Sequence, residues 1–156
     1  MQNTHIAEKI GPLHRAVLDV VSAMNRPQQD DLLLREAAIP LDRALFPLLV
    51  GIGRYEPIGV VELGERAGRD YTTVSRQLAK LEALGLVTRQ PGQADRRVRE
   101  ALVTPQGRAM IDRLDAARER LGAAALADWD PQEVDALVRL MRKFAAALQQ
   151  LPETAP

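Results

Sequence analysis

The chain has no cysteine, which excludes disulfides, thiol redox chemistry and cysteine-ligated zinc together. Aromatic residues make up only 3% of it. A core must therefore be built from Leu, Val, Ala and Ile, a composition that suits helices better than a β-sandwich. No apolar run approaches the ~20 residues of a membrane span. The N-terminus, MQNTHIAEKIGPLHR, carries charges within its apolar pattern and lacks the uninterrupted apolar stretch of a signal peptide. No membrane partner and a cytoplasmic location are the expectations. Net charge is also missing, because 21 basic residues cancel 21 acidic ones.

What is present is a chain of 156 residues with 46% apolar content, long enough for one domain with a real core. Its charge is unevenly spread. Between Arg66 and Arg99 stand eight basic residues (Arg66, Arg69, Arg76, Lys80, Arg89, Arg96, Arg97, Arg99) against three acids (Asp70, Glu82, Asp95). Eight minus three gives this segment +5 and leaves −5 on the remainder. A basic segment inside a neutral protein is the footprint of a polyanion site, although a solvated surface has the same composition.

Helical periodicity runs through most of the chain. Ile6, Ile10, Leu13, Val17, Val20, Val21 and Met24 draw one apolar stripe, with Gly11 and Pro12 predicting a kink or a late start. A short helix is expected over Asp31 to Ala38. A third run, Leu41 to Arg54, turns Leu45, Phe46, Leu48, Leu49 and Ile52 inward, and Pro47 should bend it. Near the C-terminus, Thr104 caps and Pro105 opens a helix to about Leu126. Asp130, Pro131 and Glu133 form a capping box for the last helix, with Trp129 placed to staple onto Val134. Its stripe is Leu137, Leu140, Met141, Phe144, Leu148 and Leu151. Two amphipathic helices at opposite chain ends carry more apolar surface than one small domain can cover, which points to pairing with a second copy.

The centre of the chain holds the functional constellation. Gly59 to Ala67 reads as a short helix, Gly68-Arg69 as a tight connection, and Asp70 as the N-cap of a helix that ends at Gly85. Gly64 stands inside the first of these at a propensity cost of ~1 kcal/mol. On the second helix Val74, Leu78, Leu81 and Leu84 or Gly85 face the core. Thr72, Arg76, Ala79 and Ala83 lie opposite, flanked by Thr73, Ser75 and Lys80. Arginine can read guanine or grip phosphate, hydroxyls bond phosphate, and alanines permit close approach to a major groove. Leu86 to Gln90 and Val98 to Val103 then read as two strands around the loop Pro91-Gly92-Gln93-Ala94-Asp95. A helix-turn-helix followed by a hairpin bearing Arg89, Arg96, Arg97 and Arg99 is a winged helix.

The run VVELGERAGRDYTTVSRQLAKLEALGLVTRQPGQADRRVREALVTPQG, Val60 to Gly107, resembles the DNA-binding core of the MarR family. The wing pattern is matched by Asp95, Arg97, Val103, Thr104 and Gly107. The recognition-helix pattern is matched by Thr73-Val74-Ser75-Arg76, Leu81-Glu82 and Gly85-Leu86-Val87. The resemblance implies a mainly α fold: a winged helix-turn-helix with a two-stranded wing and a helical dimerisation region. Residues 1–39 and 105–156 would serve dimerisation, and residues 40–104 DNA binding. It implies a homodimer on double-stranded DNA, a pseudo-palindromic operator, and transcription regulation by repression. Arg76 and its neighbours would enter the major groove and Arg97 the minor groove, while Asp95 would orient the wing arginines by an ion pair. A small-molecule effector, an apolar or phenolic acid, is implied as well, with Tyr55, Arg54, His14 and Phe46 as conceivable pocket residues.

Other chemistry finds no set of residues. His5 and His14 lie nine apart, not at the spacing of a helical metal pair. Ser22 and Ser75 sit in no nucleophile elbow, Gly51-Ile52-Gly53 lacks the rest of a dinucleotide fingerprint, and no P-loop exists. No cofactor, metal or enzymatic activity is expected. The alternative reading is a winged-helix interaction module without DNA binding.

Overall fold

A computed structural model describes residues 2–152. The elements, in chain order, are α1 (Gln2–Met24), α2 (Pro27–Glu36), α3 (Phe46–Tyr55), β1 (Ile58–Gly59), α4 (Val60–Ala67) and α5 (Tyr71–Ala83). Then follow β2 (Val87–Pro91), β3 (Arg99–Val103), α6 (Pro105–Ala125) and α7 (Pro131–Gln149). The chain divides into two units, Met1–Arg118 and Glu119–Pro156.

In the first unit the expected inward stripes do the packing. Leu48, Leu49 and Ile52 of α3 meet Leu63 of α4, Val74, Leu78 and Leu81 of α5, Leu86, Val87 and Ala101 of the hairpin, and Ile111 and Leu114 of α6. Each fully buried Leu or Ile is worth ~1.5–3 kcal/mol of removed apolar surface, so these positions hold the helix-turn-helix against the wing. The wing has the expected hairpin and one strand more. Ile58 pairs with Ala101 and Gly59 with Glu100, giving a three-stranded antiparallel sheet in the order β1-β3-β2.

Three expectations need correction. Pro47 does not bend a helix begun at Leu41; α3 starts at Phe46, with Pro47 in its first turn. Proline fits there because its missing N–H would have no intrahelical acceptor. Residues 41–45 form a turn instead, in which Asp42 Oδ1 accepts from Ala44 N at 2.7 Å. The second helix begins at Pro27 for the same reason, four residues before Asp31. Gly11 and Pro12 do not delay α1, which runs through them; proline holds a helical φ, and the helix carries the cost of a missing backbone bond and of the ring against the carbonyl four residues back.

Gly64 is explained by a close approach. A Cβ there would lie 3.0 Å from the carbonyl oxygen of Arg69, so an alanine would need the turn between α4 and α5 to give by a few tenths of an ångström, which offsets its better propensity. The second unit contains α7, where Asp130 N donates to Glu133 Oε2 at 3.1 Å, the Glu133 arm of the capping box. No residue of α7 is buried.

The tightest joint lies where the wing ends. Thr104 N donates to Leu86 O at 3.0 Å, Thr104 Oγ1 donates to Gly85 O at 2.6 Å, and Gly107 N donates back to Thr104 Oγ1 at 3.0 Å. A Cβ on Gly107 would meet the Leu86 carbonyl oxygen at 2.1 Å. Gly107→Ala therefore cannot be absorbed by a side-chain rotation and must shift backbone. Overpacking of this kind costs ~1–3 kcal/mol or more. Thermal melting should show a drop of several degrees or failure to fold, whereas Ala109→Gly, an exposed helical control, should cost only ~1 kcal/mol.

Candidate nucleic-acid interface

The recognition helix α5 is set by its ends. Asp70 accepts from Thr73 N at 2.8 Å and from Thr73 Oγ1 at 2.7 Å. At the other end Gly85, with φ 75°, ends the helix, its N–H bonded to Glu82 O at 3.0 Å and that of Leu86 to Leu81 O. Only a residue at ease in the left-handed region suits that corner. Between the two ends, Val74, Leu78 and Leu81 are buried while Thr72, Arg76, Ala79, Lys80 and Ala83 are exposed, which is the phase read from the sequence. The expected inward position of Leu84 or Gly85 needs correction: Leu84 is 52% exposed and Gly85 is exposed too, because the helix ends at Ala83 and the chain turns away there. Thr73 and Ser75 on the flanks are half-buried.

The hydrogen bonds change what each candidate can do. A threonine hydroxyl has one proton, and Thr73 donates it to Asp70, so it has none left for a phosphate oxygen. Arg89 follows from strand alternation. Two residues beyond buried Val87, it lies on the same face of β2 and is drawn toward the end of α5, with Nε 3.1 Å from Glu82 Oε2. That contact is an ion pair by distance but not an aligned hydrogen bond, since Nε is buried without a hydrogen-bond partner. Its side chain is 20% exposed.

At the wing tip Asp95 Oδ1 accepts from the backbone N of Arg97 at 3.0 Å, while the Arg97 guanidinium is 4.0 Å away and its side chain 95% exposed. The firmer bond of Asp95 is thus to the loop backbone. Gly92 N to Val98 O at 2.7 Å closes the same loop. The basic count of the segment now divides. Arg66 is engaged by Glu62 at 3.1 Å and lies over the Tyr55 ring at 4.0 Å. Arg69 donates to Ala44 O and Gln77 Oε1, fixing the helix-turn-helix corner. Among the described residues, Arg76, Lys80, Arg96 and Arg99 have no ion pair. All four are exposed, as is Arg97.

The conceivable effector residues are not gathered in one place. Tyr55 lines a hollow of about 250 Å³ with Leu48, Leu63 and Arg66. Phe46 lines a different one of about 450 Å³ with Met24 and Arg118. His14 is exposed on α1, and Arg54 lies 5.2 Å from the Tyr55 ring. No group of three or more metal-ligating side chains occurs among the described residues, and no helix there is long and apolar enough to cross a membrane. Sequence reasoning overlooked Tyr71, which is 61% exposed at the first position of the recognition helix. The available signal was an aromatic directly after an N-cap in a chain nearly devoid of them.

The MarR family model matches residues 41–98, from the turn before α3 through the wing tip. An uncharacterized HTH-type transcriptional regulator of Bacillus subtilis, YxaD, is 30% identical over 107 residues, covering 69% of this chain and 75% of that protein. The chain belongs to the MarR family. Its fold agrees with that of a MarR family protein from Bacillus stearothermophilus, with a TM-score of 0.77 at 18% identity over 92% of this chain and 98% of the other. The transcriptional regulator BldR from Sulfolobus solfataricus gives 0.65 at 23% identity over 91% and 97%. As a MarR-family member the chain is a DNA-binding transcriptional regulator, not an enzyme.

The acid–base behaviour of the interface rests on Asp70. The Thr73 backbone N–H, then its hydroxyl, and the nearby Arg76 charge hold the Asp70 carboxyl below its ordinary value. A carboxylate favoured in the folded state contributes stability above its unfolded pKa, and that contribution is lost as pH falls through the lowered folded value. Asp70→Ala should therefore lower the melting temperature at neutral pH, with the gap to wild type closing as pH falls below about 4. A gap that persists unchanged at acid pH would show that the charge of the cap is immaterial.

Proposed function

We propose that this MarR-family chain is a homodimeric repressor that reads a pseudo-palindromic operator with α5 in successive major grooves and the wing at the flanking minor grooves. The observation that carries the reading is the row of cations free of ion pairs, Arg76, Lys80, Arg96 and Arg99, continued by Arg97 at the wing tip. A neutral protein that leaves these cations unneutralised on one helix face and one hairpin is arranged for phosphate and base contacts. Arg76 reads a base edge or grips a phosphate from the centre of the outward face. Thr72 donates to phosphate, Ser75 serves from the flank, and Thr73 can offer only its lone pairs. Arg97 enters the minor groove, with Asp95 shaping the loop that presents it. Arg89, held by Glu82, acts through its remaining guanidinium nitrogens.

Pairing of two copies is supported by the exposed apolar stripes. Ile6, Ile10, Leu13, Val20, Val21 and Met24 on α1 are 41–70% exposed, and Leu137, Leu140, Met141 and Leu148 on α7 are 40–51% exposed. Such stripes call for a cover, and an isologous dimer would present two recognition helices to a palindrome. In this division residues 40–104 bind DNA and residues 1–39 and 105–156 dimerise. Release by an apolar or phenolic acid and a cytoplasmic location complete the reading.

Arg76→Ala tests it. Removal of an exposed helical arginine should change stability by no more than ~0.5 kcal/mol. Operator affinity at fixed salt should fall by ~1–3 kcal/mol, in a protein that sediments near twice 17.2 kDa. Unchanged affinity in the folded dimer would favour the interaction-module alternative, and a large loss of stability would place Arg76 inward.

A further inference from the structure

Beside the recognition helix lies a groove of about 580 Å³ that basic residues alone do not describe. It is bordered by Val60 and Val61 at the start of α4, Tyr71 at the start of α5, and Arg97, Val98 and Arg99 of the wing. Three of these are large apolar or aromatic side chains left in solvent: Val61 is 63% exposed, Tyr71 61% and Val98 46%. The Tyr71 hydroxyl has no hydrogen-bond partner among the described residues. An exposed tyrosine between two exposed valines, with two arginines at one side, alternates apolar and cationic surface. Deoxyribose and phosphate alternate in the same way along a DNA strand.

Helical phase decides which part of the duplex Tyr71 meets. Thr72 and Arg76 point away from the core, toward base edges, while Tyr71 is turned ~100° from Thr72, toward α4 and the wing. A side chain so turned reaches the wall of the groove rather than its floor. We propose that Tyr71 is a DNA-backbone contact that seats one strand between α4 and the wing. Its ring packs on a deoxyribose and its hydroxyl donates to a phosphate oxygen. Glu62, Glu65, Glu100 and Arg89 also border this groove; Glu62 is paired with Arg66 and Arg89 with Glu82, so Arg97 and Arg99 are the cations that attract the phosphate against the repulsion of Glu65 and Glu100. The inference rests on the DNA-binding reading above and deepens it, since contacts of this kind fix position without reading sequence.

The test compares wild type, Tyr71→Phe and Tyr71→Ala on two duplexes, a selected operator and a scrambled duplex of the same composition, across a salt series. Tyr71→Phe should weaken binding about fivefold or more and Tyr71→Ala about tenfold or more, by similar factors on both duplexes. The slope of log affinity against log salt should stay at the wild-type value, because a neutral hydroxyl displaces no counterion; Arg97→Ala should reduce it. Both Tyr71 variants should melt with wild type, as the side chain is exposed. Unchanged affinity, a loss confined to the operator, or a large fall in melting temperature overturns the proposal. Failure of wild type to bind either duplex overturns the DNA-binding reading itself and is told apart by that control.

Discussion

The hydroxyl of Thr104 and the missing side chain of Gly107 form the joint on which the rest of the DNA-binding unit depends. One residue after β3 ends, Thr104 reaches the carbonyl of Gly85 at the close of the recognition helix and the carbonyl of Leu86 at the start of the wing. Gly107 permits the first turn of α6 to lie directly against Leu86. Recognition helix, wing and α6 are thereby fixed at a single corner. Glu56 supplies a second clasp. Glu56 accepts from Val103 N at 2.7 Å and from Arg108 Nη2 at 2.7 Å, joining α3, β3 and α6. These bonds tie helix face and hairpin to one scaffold, which is what simultaneous contact with two grooves requires.

Charge is allocated along the same lines. Arginines that hold the scaffold are engaged: Arg69 at the helix-turn-helix corner, Arg66 between Glu62 and Tyr55, and Arg108 on Glu56. Arg113 is spent on the carbonyls of Ala37 and Ala38, where Ala38 sits at φ 53°. Arg76 and Lys80 on α5 and Arg96 and Arg99 on the wing have no ion pair among the described residues. A formal charge of zero over the whole chain therefore conceals a locally unbalanced surface.

Much of this was legible in the residues. Asp70 and Gly85 marked the ends of the recognition helix because capping chemistry is local, and Val74, Leu78 and Leu81 gave its phase because a helix repeats every 3.6 residues. The hairpin was placed within a residue at each strand. The third strand, Ile58–Gly59, is two residues long and has no period to detect. Pro47, expected to bend a helix, stands in the first turn of α3, and the second helix, expected from Asp31, opens at Pro27; proline marks a bend and a helix start alike, an ambiguity that one residue type cannot resolve. The engagement of Arg89 by Glu82 and of Thr73 by Asp70 depends on how strand and helix meet, so those side chains looked as available as Arg76. Tyr71 lies ~100° from Thr72 around the helix, off the face that Thr72 and Arg76 mark, so the outward phase of α5 does not point to it.

The central claim is that two copies of α5 and the wing read one symmetric DNA site. Selection of binding sites from a pool of random duplexes by the full-length protein tests it most directly. Enrichment of an inverted repeat whose half-site centres lie about one helical turn, ~10 base pairs, apart is expected. Recovery of an asymmetric single site, or no enrichment over the starting pool, would contradict it.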